Sequence, residues 1–430
     1  MPVKEIRAAA QMLLLLLGLG GLCPAVMANT TAAGPKAAVQ AFPAPAARAP
    51  LAAKTLPRLQ LAQDLTILAA PEGAANFLQV QATDSPSGRL RMALLLPLKS
   101  VTLKSAAEMV RDGFRAAHGR EGSNVDLTVI DTDDSAQNIA TLYRDAVHRY
   151  DILIGPLSRS GVGAVANSGA VSRPTIALAP PDNTDNTELR LPPKLLVMGL
   201  SIEDEARQAA EWAGREHAGG KALIVSTSVA WQKRAARAFM GQWQKSGAAV
   251  DVMQLSVAGS QLNGAALAQL KKRVQEDPPQ LLFVALGAAQ TRQLRGVVGP
   301  GVALYGTSQL NPLNLSEITG AERQRELDGV HLLDMPWQLQ ADHPAVMAYP
   351  HPVAVGTQRL GPDLERLYAL GIDAYRVAAE IGAGRPDFTI DGVTGKLAVQ
   401  FDGSHPAIFE RTGQQAIYAE GLILPLATSR

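Results

Sequence analysis

From residue 89 onward, the hydrophobic positions fall into two alternating patterns. Arg91-Met92-Ala93-Leu94-Leu95-Leu96-Pro97-Leu98 is a nearly continuous apolar run, the signature of a parallel strand covered on both faces. After it, Ala106, Val110, Gly113, Phe114 and Ala117 recur at helical spacing and predict a helix with one apolar stripe. The alternation continues with strand Val125 to Ile130, helix 137–149, strand Ile152 to Ile154, helix 160–171 and strand Thr175 to Leu178. Strands separated by single helices specify a doubly wound parallel sheet, because parallel neighbours need right-handed crossovers.

A second cycle begins at Ser201. Ser201 and Asp204 are spaced as a capping pair, with the serine placed to satisfy the first free amides of a helix. Ala206, Ala209, Ala210 and Ala213 give that helix a small-residue face. Strand Ala222 to Val225 follows, then a helix carrying Trp231, Ala235, Phe239 and Trp243 every fourth residue. Strand Val250 to Leu255, helix 264–275, strand Leu281 to Ala285, helix 289–298 and strand Val302 to Tyr305 complete a second α/β unit. The two units share an architecture and no detectable sequence repeat.

Ahead of this regular region the chain reads differently. Lys4 and Arg7 precede a short apolar run from Met12 to Leu22, and Val26-Met27-Ala28 offers small residues for cleavage. Residues 1–28 are therefore expected to be an export signal, too short to span a bilayer. Residues 29–88 form an Ala/Pro-rich linker and arm, whose composition buries too little surface to offset its ordering entropy. Cys23 is the one cysteine of the 430 residues. Cleavage after Ala28 leaves no thiol for disulfides, nucleophilic catalysis or metal binding; the alternative is that Cys23 is a lipid-attachment site. Removing Lys4, Arg7 and Glu5 from 40 basic and 39 acidic residues leaves 38 of each. A neutral chain without basic clusters is a poor nucleic-acid binder, and no further apolar run reaches membrane-spanning length in the mature chain.

Two α/β units followed by a returning segment resemble the type I periplasmic binding proteins. The segment Asp391-Gly392-Val393-Thr394-Gly395-Lys396-Leu397-Ala398-Val399-Gln400-Phe401-Asp402-Gly403 is similar to the late strand–turn of that class. Leu364, Leu367, Tyr368, Gly371, Ile372, Tyr375 and Ala379 match its penultimate helix, and helix 101–117, with Arg111-Asp112-Gly113-Phe114, fits its first. Within the class, Ala93–Leu98, Ile154–Leu157, Ser201–Ala206 and Asp334-Met335-Pro336-Trp337 resemble the LppC/LpoA family of penicillin-binding protein activators. The resemblance implies two doubly wound parallel-sheet lobes joined by three interlobe crossovers. The first lobe would comprise 89–200 and 337–386, the second 201–336 and 387–430. It further implies a non-catalytic periplasmic activator or scaffold whose partner is a penicillin-binding protein, a peptidoglycan synthase. The alternative function is a solute receptor feeding an ABC-type transporter, closing on a small polar ligand by hinge motion near 200, 336 and 387.

In doubly wound units the ligand crevice lies beyond the carboxyl ends of the strands. That rule nominates Ser158, Ser160 and Pro180 on the first lobe, and Trp231, Tyr305, Thr307, Ser308 and Asp334 on the second. Ser158 and Ser160 either hold an anion at a helix start or cap that helix, the cap being preferred. Trp231 either stacks on a ligand or packs in the core, the core being preferred. Asp334 and Trp337 are candidate contacts for a protein partner, since aromatics often anchor interfaces, or belong to a packed structural loop. No serine has lysine three positions later, and no Gly-x-Ser-x-Gly, His-Glu-x-x-His or Gly-x-x-x-x-Gly-Lys occurs. The seven histidines are scattered, with His343, His351 and His405 each before proline. No catalytic residue, metal site or cofactor is expected.

Overall fold

The apolar run that opens the regular region becomes β1 (Leu90–Leu96), whose residues Met92 to Leu96 are all buried. The computed structural model describes residues 88–122, 124–182, 190–313, 324–352 and 360–427. The expected signal segment, Cys23 and the linker up to residue 87 lie outside them. After β1 come α1 (Lys104–Glu121), β2 (Val125–Asp131), α2 (Ala136–Ala146), β3 (Ile152–Ile154), α3 (Arg159–Ala166), β4 (Thr175–Ala177) and β5 (Leu195–Val197). The strands form one parallel sheet in the order β2-β1-β3-β4-β5.

Alternation along each strand feeds two hydrophobic layers. Met92, Leu94 and Leu96 of β1, with Ile152 and Ile154 of β3, join the core beneath α1. Ala93, Leu95 and Leu153 face the opposite way, onto Ile139 and Tyr143 of α2 and Val165 of α3. This double coverage is why the strands read as unbroken apolar runs.

The chain then enters the second lobe through α4 (Ile202–Glu216), β6 (Ala222–Ser226), α5 (Ala230–Gln244) and β7 (Val250–Gln254). The short ribbon β8 (Val257–Ala258) and β9 (Gln261–Leu262) follows, then α6 (Gly264–Glu276), β10 (Leu281–Val284), α7 (Ala288–Val298), β11 (Ala303–Gly306) and β12 (Val330–Asp334). Ser201 accepts the Asp204 N–H at 3.1 Å, the cap that its spacing predicted. Ile224, Phe283 and Tyr305 pack beneath α4 and α5; Val225, Leu282, Val284 and Leu304 face α6 and α7.

From β12 the chain returns to the first lobe by α8 (Pro336–Leu339), α9 (Pro344–Met347) and α10 (Pro362–Gly382). Helix α10 lies directly on α1. A Cβ at Gly113 would fall 1.9 Å from the Tyr368 carbonyl oxygen, and one at Gly371 would fall 2.1 Å from that of Val110. The two backbones touch at both glycines, so here glycine is required by close approach. An antiparallel sheet of β13 (Asp387–Asp391), β14 (Lys396–Gln400) and β15 (Ile408–Thr412) comes next. Finally β16 (Gln414–Ala419) and β17 (Leu422–Pro425) add antiparallel strands beside β12, giving the order β17-β16-β12-β11-β10-β6-β7.

One boundary differs from the sequence expectation. Phe388, Ile390, Leu397, Val399 and Phe401 belong to the same core as β1 and α10. The segment 387–412 is thus part of the first lobe, and the third crossing lies at Gly413 rather than near 387. The alternating apolar positions of β13 and β14 (Phe388/Ile390, Leu397/Val399) cover the end of that core, which a second-lobe placement would leave open.

Candidate functional site

Of the residues that the crevice rule nominates, Ser308 and Asp334 are brought together, around the side chain of Arg366. On the first lobe, Ser158 is buried and accepts the Gly161 N–H at 3.2 Å, so it caps α3. Ser160, two residues on, is exposed, and Pro180 is half-buried. Between them, Arg159 Nε donates to Asp182 Oδ1 at 2.8 Å and its Nη2 to the Pro181 carbonyl at 3.1 Å. These bonds tie the loop after β3 to the loop after β4.

On the second lobe, two aromatic candidates turn away from the groove. Trp231 is 3% exposed and sits in the core beneath α4 and α5. Tyr305 lies in the same layer, donates its hydroxyl to Glu216 at the far end of α4, and contacts His217 Nε2 at 3.1 Å. Its ring stacks on His331 at 4.6 Å and meets Trp212 edge-on at 5.4 Å. Burial, then the Glu216 carboxylate, push its hydroxyl well above the ordinary tyrosine value. Thr307 and Ser308 are buried at the groove end of β11. Among the described residues, the Thr307 hydroxyl and Trp231 Nε1 have no hydrogen-bond partner.

Asp334 is engaged from every side. Arg366 of α10 donates Nη2 to Asp334 Oδ2 at 2.7 Å and Nε to Oδ1 at 3.1 Å. Asn311 Nδ2 and the Met335 N–H complete the carboxylate at 2.9 and 2.8 Å. The same Nη2 also donates to the Ser308 and Asn311 carbonyls, each at 3.1 Å, and Nη1 to Asp363 at 2.9 Å. Burial works against the Arg366 charge. The surrounding carboxylates of Asp334, Asp363 and Glu205 outweigh it, so its pKa lies above the ordinary value. Arg366 belongs to the first lobe and Asp334, Asn311 and Ser308 to the second, so one guanidinium fastens the lobes at the second crossing.

Glu205, in the first turn of α4, accepts the Ser308 N–H at 2.9 Å beside this pair. The residue is half-buried. Desolvation, reinforced by Asp334 and opposed by Ser308 and Arg366, raises its pKa to about 7.

A second network joins the first and third crossings. Asp373 of α10 accepts the backbone N–H groups of Val393 and Thr394 at 3.1 and 2.8 Å and the Thr394 hydroxyl at 2.6 Å. Arg411 donates Nε to that hydroxyl at 3.0 Å, and its Nη groups to the Gly199 and Met198 carbonyls at 3.0 and 2.8 Å. Gln208 of α4 closes the set, donating to the Arg411 carbonyl and accepting from the Gly413 N–H, both at 2.9 Å. All three crossings are therefore held by polar bonds, buried at the second and partly buried at the first and third.

Two sequence expectations need correction here. Trp337 has no exposed surface; it packs between His351 at 4.4 Å and Tyr368 at 5.6 Å. Asp334 is 4% exposed and is consumed by Arg366. Neither offers a contact to a protein partner. They form the packed loop that was the alternative, because Pro336 starts a short turn that drives the indole into the first-lobe core. Arg366, Asp373, Arg411 and Glu205 were not singled out from sequence. For Arg366 and Asp373 a signal was present: with Glu365 they interrupt a helix that is otherwise apolar on most sides, where a charge needs a buried partner. Among the described residues, no group of three or more His, Cys, Asp or Glu side chains is placed to hold a metal ion. No helix among them is long and apolar enough to cross a membrane.

Comparison with known proteins agrees with this architecture. The C-domain of Haemophilus influenzae LpoA, described as a regulator of PBP1A, superposes with a TM-score of 0.61 at 22% identity, covering 78% of this chain and 100% of that one. A Chromobacterium violaceum structure described as "a putative branched-chain amino acid ABC transporter" also gives 0.61, at 34% identity over 76% of this chain and 100% of that one. The penicillin-binding protein activator LpoA of Vibrio cholerae is 28% identical over 347 residues, 71% of this chain and 54% of that protein. Its Histophilus somni counterpart is 26% identical over 333 residues, 76% and 52% of the two chains. The chain thus spans about half the length of the curated relatives it matches. The sequence model of the family described as "LppC putative lipoprotein" matches residues 71–404, most of the chain, and the protein belongs to that family.

Proposed function

We propose that this chain is a non-catalytic activator of a peptidoglycan synthase of the penicillin-binding protein class, working on the periplasmic side of the cell envelope. Family membership and the relatives named LpoA supply the class of partner. The observation that carries the reading is the state of the interlobe joint. The carboxylates at the strand ends that would grip a cationic or polar ligand, Asp334 and Glu205, are engaged by Arg366 and by the Ser308 amide. A groove whose polar groups fasten the lobes to each other suits a scaffold that presents its outer faces. Export by residues 1–28 places it with such a synthase, either free after cleavage at Ala28 or anchored through Cys23. The intact mass of the exported protein distinguishes the two forms.

A second reading, a solute receptor, has one observation in its favour: 34% identity to the Chromobacterium violaceum structure described as "a putative branched-chain amino acid ABC transporter". Such a receptor needs a free acid on the second lobe for an ammonium group, and Asp334 and Glu205 already have partners.

The test is co-purification of the exported chain with a class A penicillin-binding protein, run beside a thermal-shift screen of amino acids and wall fragments. Retention of the synthase and an unmoved melting temperature support the activator. No retention, with a shift of several degrees from one amino acid, overturns it in favour of the receptor.

A further inference from the structure

Three carboxylates surround one guanidinium where the lobes meet. Asp334 from β12, Asp363 from α10 and Glu205 from α4 all act on Arg366. Asp334 and Asp363 bond it directly, at 2.7 and 2.9 Å. Glu205 has another role: its oxygen holds the Ser308 N–H, and Ser308 in turn lends its carbonyl to Arg366. The α4 helix, the turn after β11, the end of β12 and helix α10 thus meet around one charge-imbalanced cluster. The remaining charges near Glu205 are committed elsewhere. On its own helix, Glu203 pairs with Arg234 at 2.7 Å and Asp204 with Arg207. At the third crossing, Arg411 is bonded to the Met198 and Gly199 carbonyls and feels Asp373 as well as Glu205.

We infer that Glu205 is a protonation-dependent latch on the interlobe joint, tight when its carboxyl is neutral and loosened when it ionises beside Asp334. The neutral carboxyl still accepts the Ser308 N–H through its carbonyl oxygen and leaves Arg366 to Asp334 and Asp363. The ionised form adds a third negative charge around one positive charge, beside the buried Asp334–Arg366 pair, and the charge is relieved when the lobes part and water reaches it. The raised pKa of Glu205, about 7, puts this change where an envelope protein meets it. A raised pKa means that the closed joint binds the proton more tightly than the open one. Closure is therefore favoured at acid pH and lost as pH rises through neutrality. With an ordinary carboxylate value in the open form, the opening constant rises roughly tenfold between pH 6 and pH 8. The inference concerns the joint alone and holds whichever partner the lobes engage.

The experiment is amide hydrogen exchange on the full chain at pH 6 and pH 8, corrected for intrinsic rates and followed in segments 306–311 and 334–338. Wild type should lose roughly tenfold protection there across that range, while Glu205→Gln, which keeps the acceptor oxygen but cannot ionise, should show none of the loss. The 13C shift of the Glu205 carboxyl in the wild-type chain gives a readout that needs no variant, and should move with a midpoint near neutrality. An equal loss of protection in Glu205→Gln, or a Glu205 carboxyl fully ionised below pH 5, would overturn the inference.

Discussion

Replacing Arg366 by methionine tests the joint most sharply. The guanidinium makes two bonds to Asp334, one to Asp363 and two to the carbonyls of Ser308 and Asn311. Methionine fills much of the space but leaves the Asp334 carboxylate, 4% exposed, with only the Asn311 amide and the Met335 N–H. Removing one partner of a buried pair typically costs about 3–5 kcal/mol, mostly because the other charge stays buried without compensation. The two freed carbonyls act in the same direction. Arg366→Met should therefore lower unfolding free energy by about 4 kcal/mol. Removing the second charge as well, in Asp334→Asn/Arg366→Met, should restore about 2 kcal/mol, since the stranded carboxylate is gone. Urea unfolding at pH 7, followed by tryptophan fluorescence and by circular dichroism, measures both. Because Arg366 bridges the lobes, the two probes should separate in the single variant, with one lobe melting ahead of the other. A loss below about 1 kcal/mol, or a double variant as unstable as the sum of the singles, would refute the assignment of Arg366 as an interlobe fastener.

Other perturbations follow from the same packing. Gly371→Ala should destabilise the chain by about 1–3 kcal/mol despite the better helix propensity of alanine, because its Cβ meets the Val110 carbonyl; thermal melting reads this, and a neutral or stabilised variant would contradict the backbone contact between α1 and α10. Trp337→Ala should cost about 3–5 kcal/mol in urea unfolding and leave synthase binding intact in the folded fraction, since the indole has no exposed surface. Asp151 is desolvated by burial, but its bonds to Arg91 hold its pKa below the usual carboxylate range. Its contribution is present above the ordinary aspartate value and disappears as pH falls through and below that range. Asp151→Asn should therefore flatten that part of the acid-unfolding curve, measured by circular dichroism.

The parallel core of both lobes was legible because each central strand is covered on both faces and reads as an apolar run, as in Met92–Leu96 and Leu281–Val284. The strand Leu195–Val197 was missed because its apolar run is only four residues long, Leu195 to Met198, and follows Pro192, Pro193 and Lys194. β16 was missed because its buried residues (Gln414, Ala416, Tyr418) alternate with partly exposed ones and include glutamine, so no run stands out. The misplaced third crossing has a similar cause: alternation in β13 and β14 says that one face is buried without saying against which lobe. The site was harder. The crevice rule nominates Ser308 and Asp334, but their shared partner Arg366 lies 58 and 32 positions away on α10, and no local pattern encodes such a pairing. The same limit explains Trp337, whose aromatic character is equally suited to an interface and to a core until its neighbours His351 and Tyr368 are known.

We propose that this protein raises the activity of a wall synthase without chemistry of its own. The most direct measurement is the initial transpeptidation rate of a purified class A penicillin-binding protein as the exported chain is titrated in. A saturable increase in rate, with no substrate turnover by the chain alone, is predicted. A rate that stays flat at every concentration, or product formed in the absence of the synthase, would contradict the account.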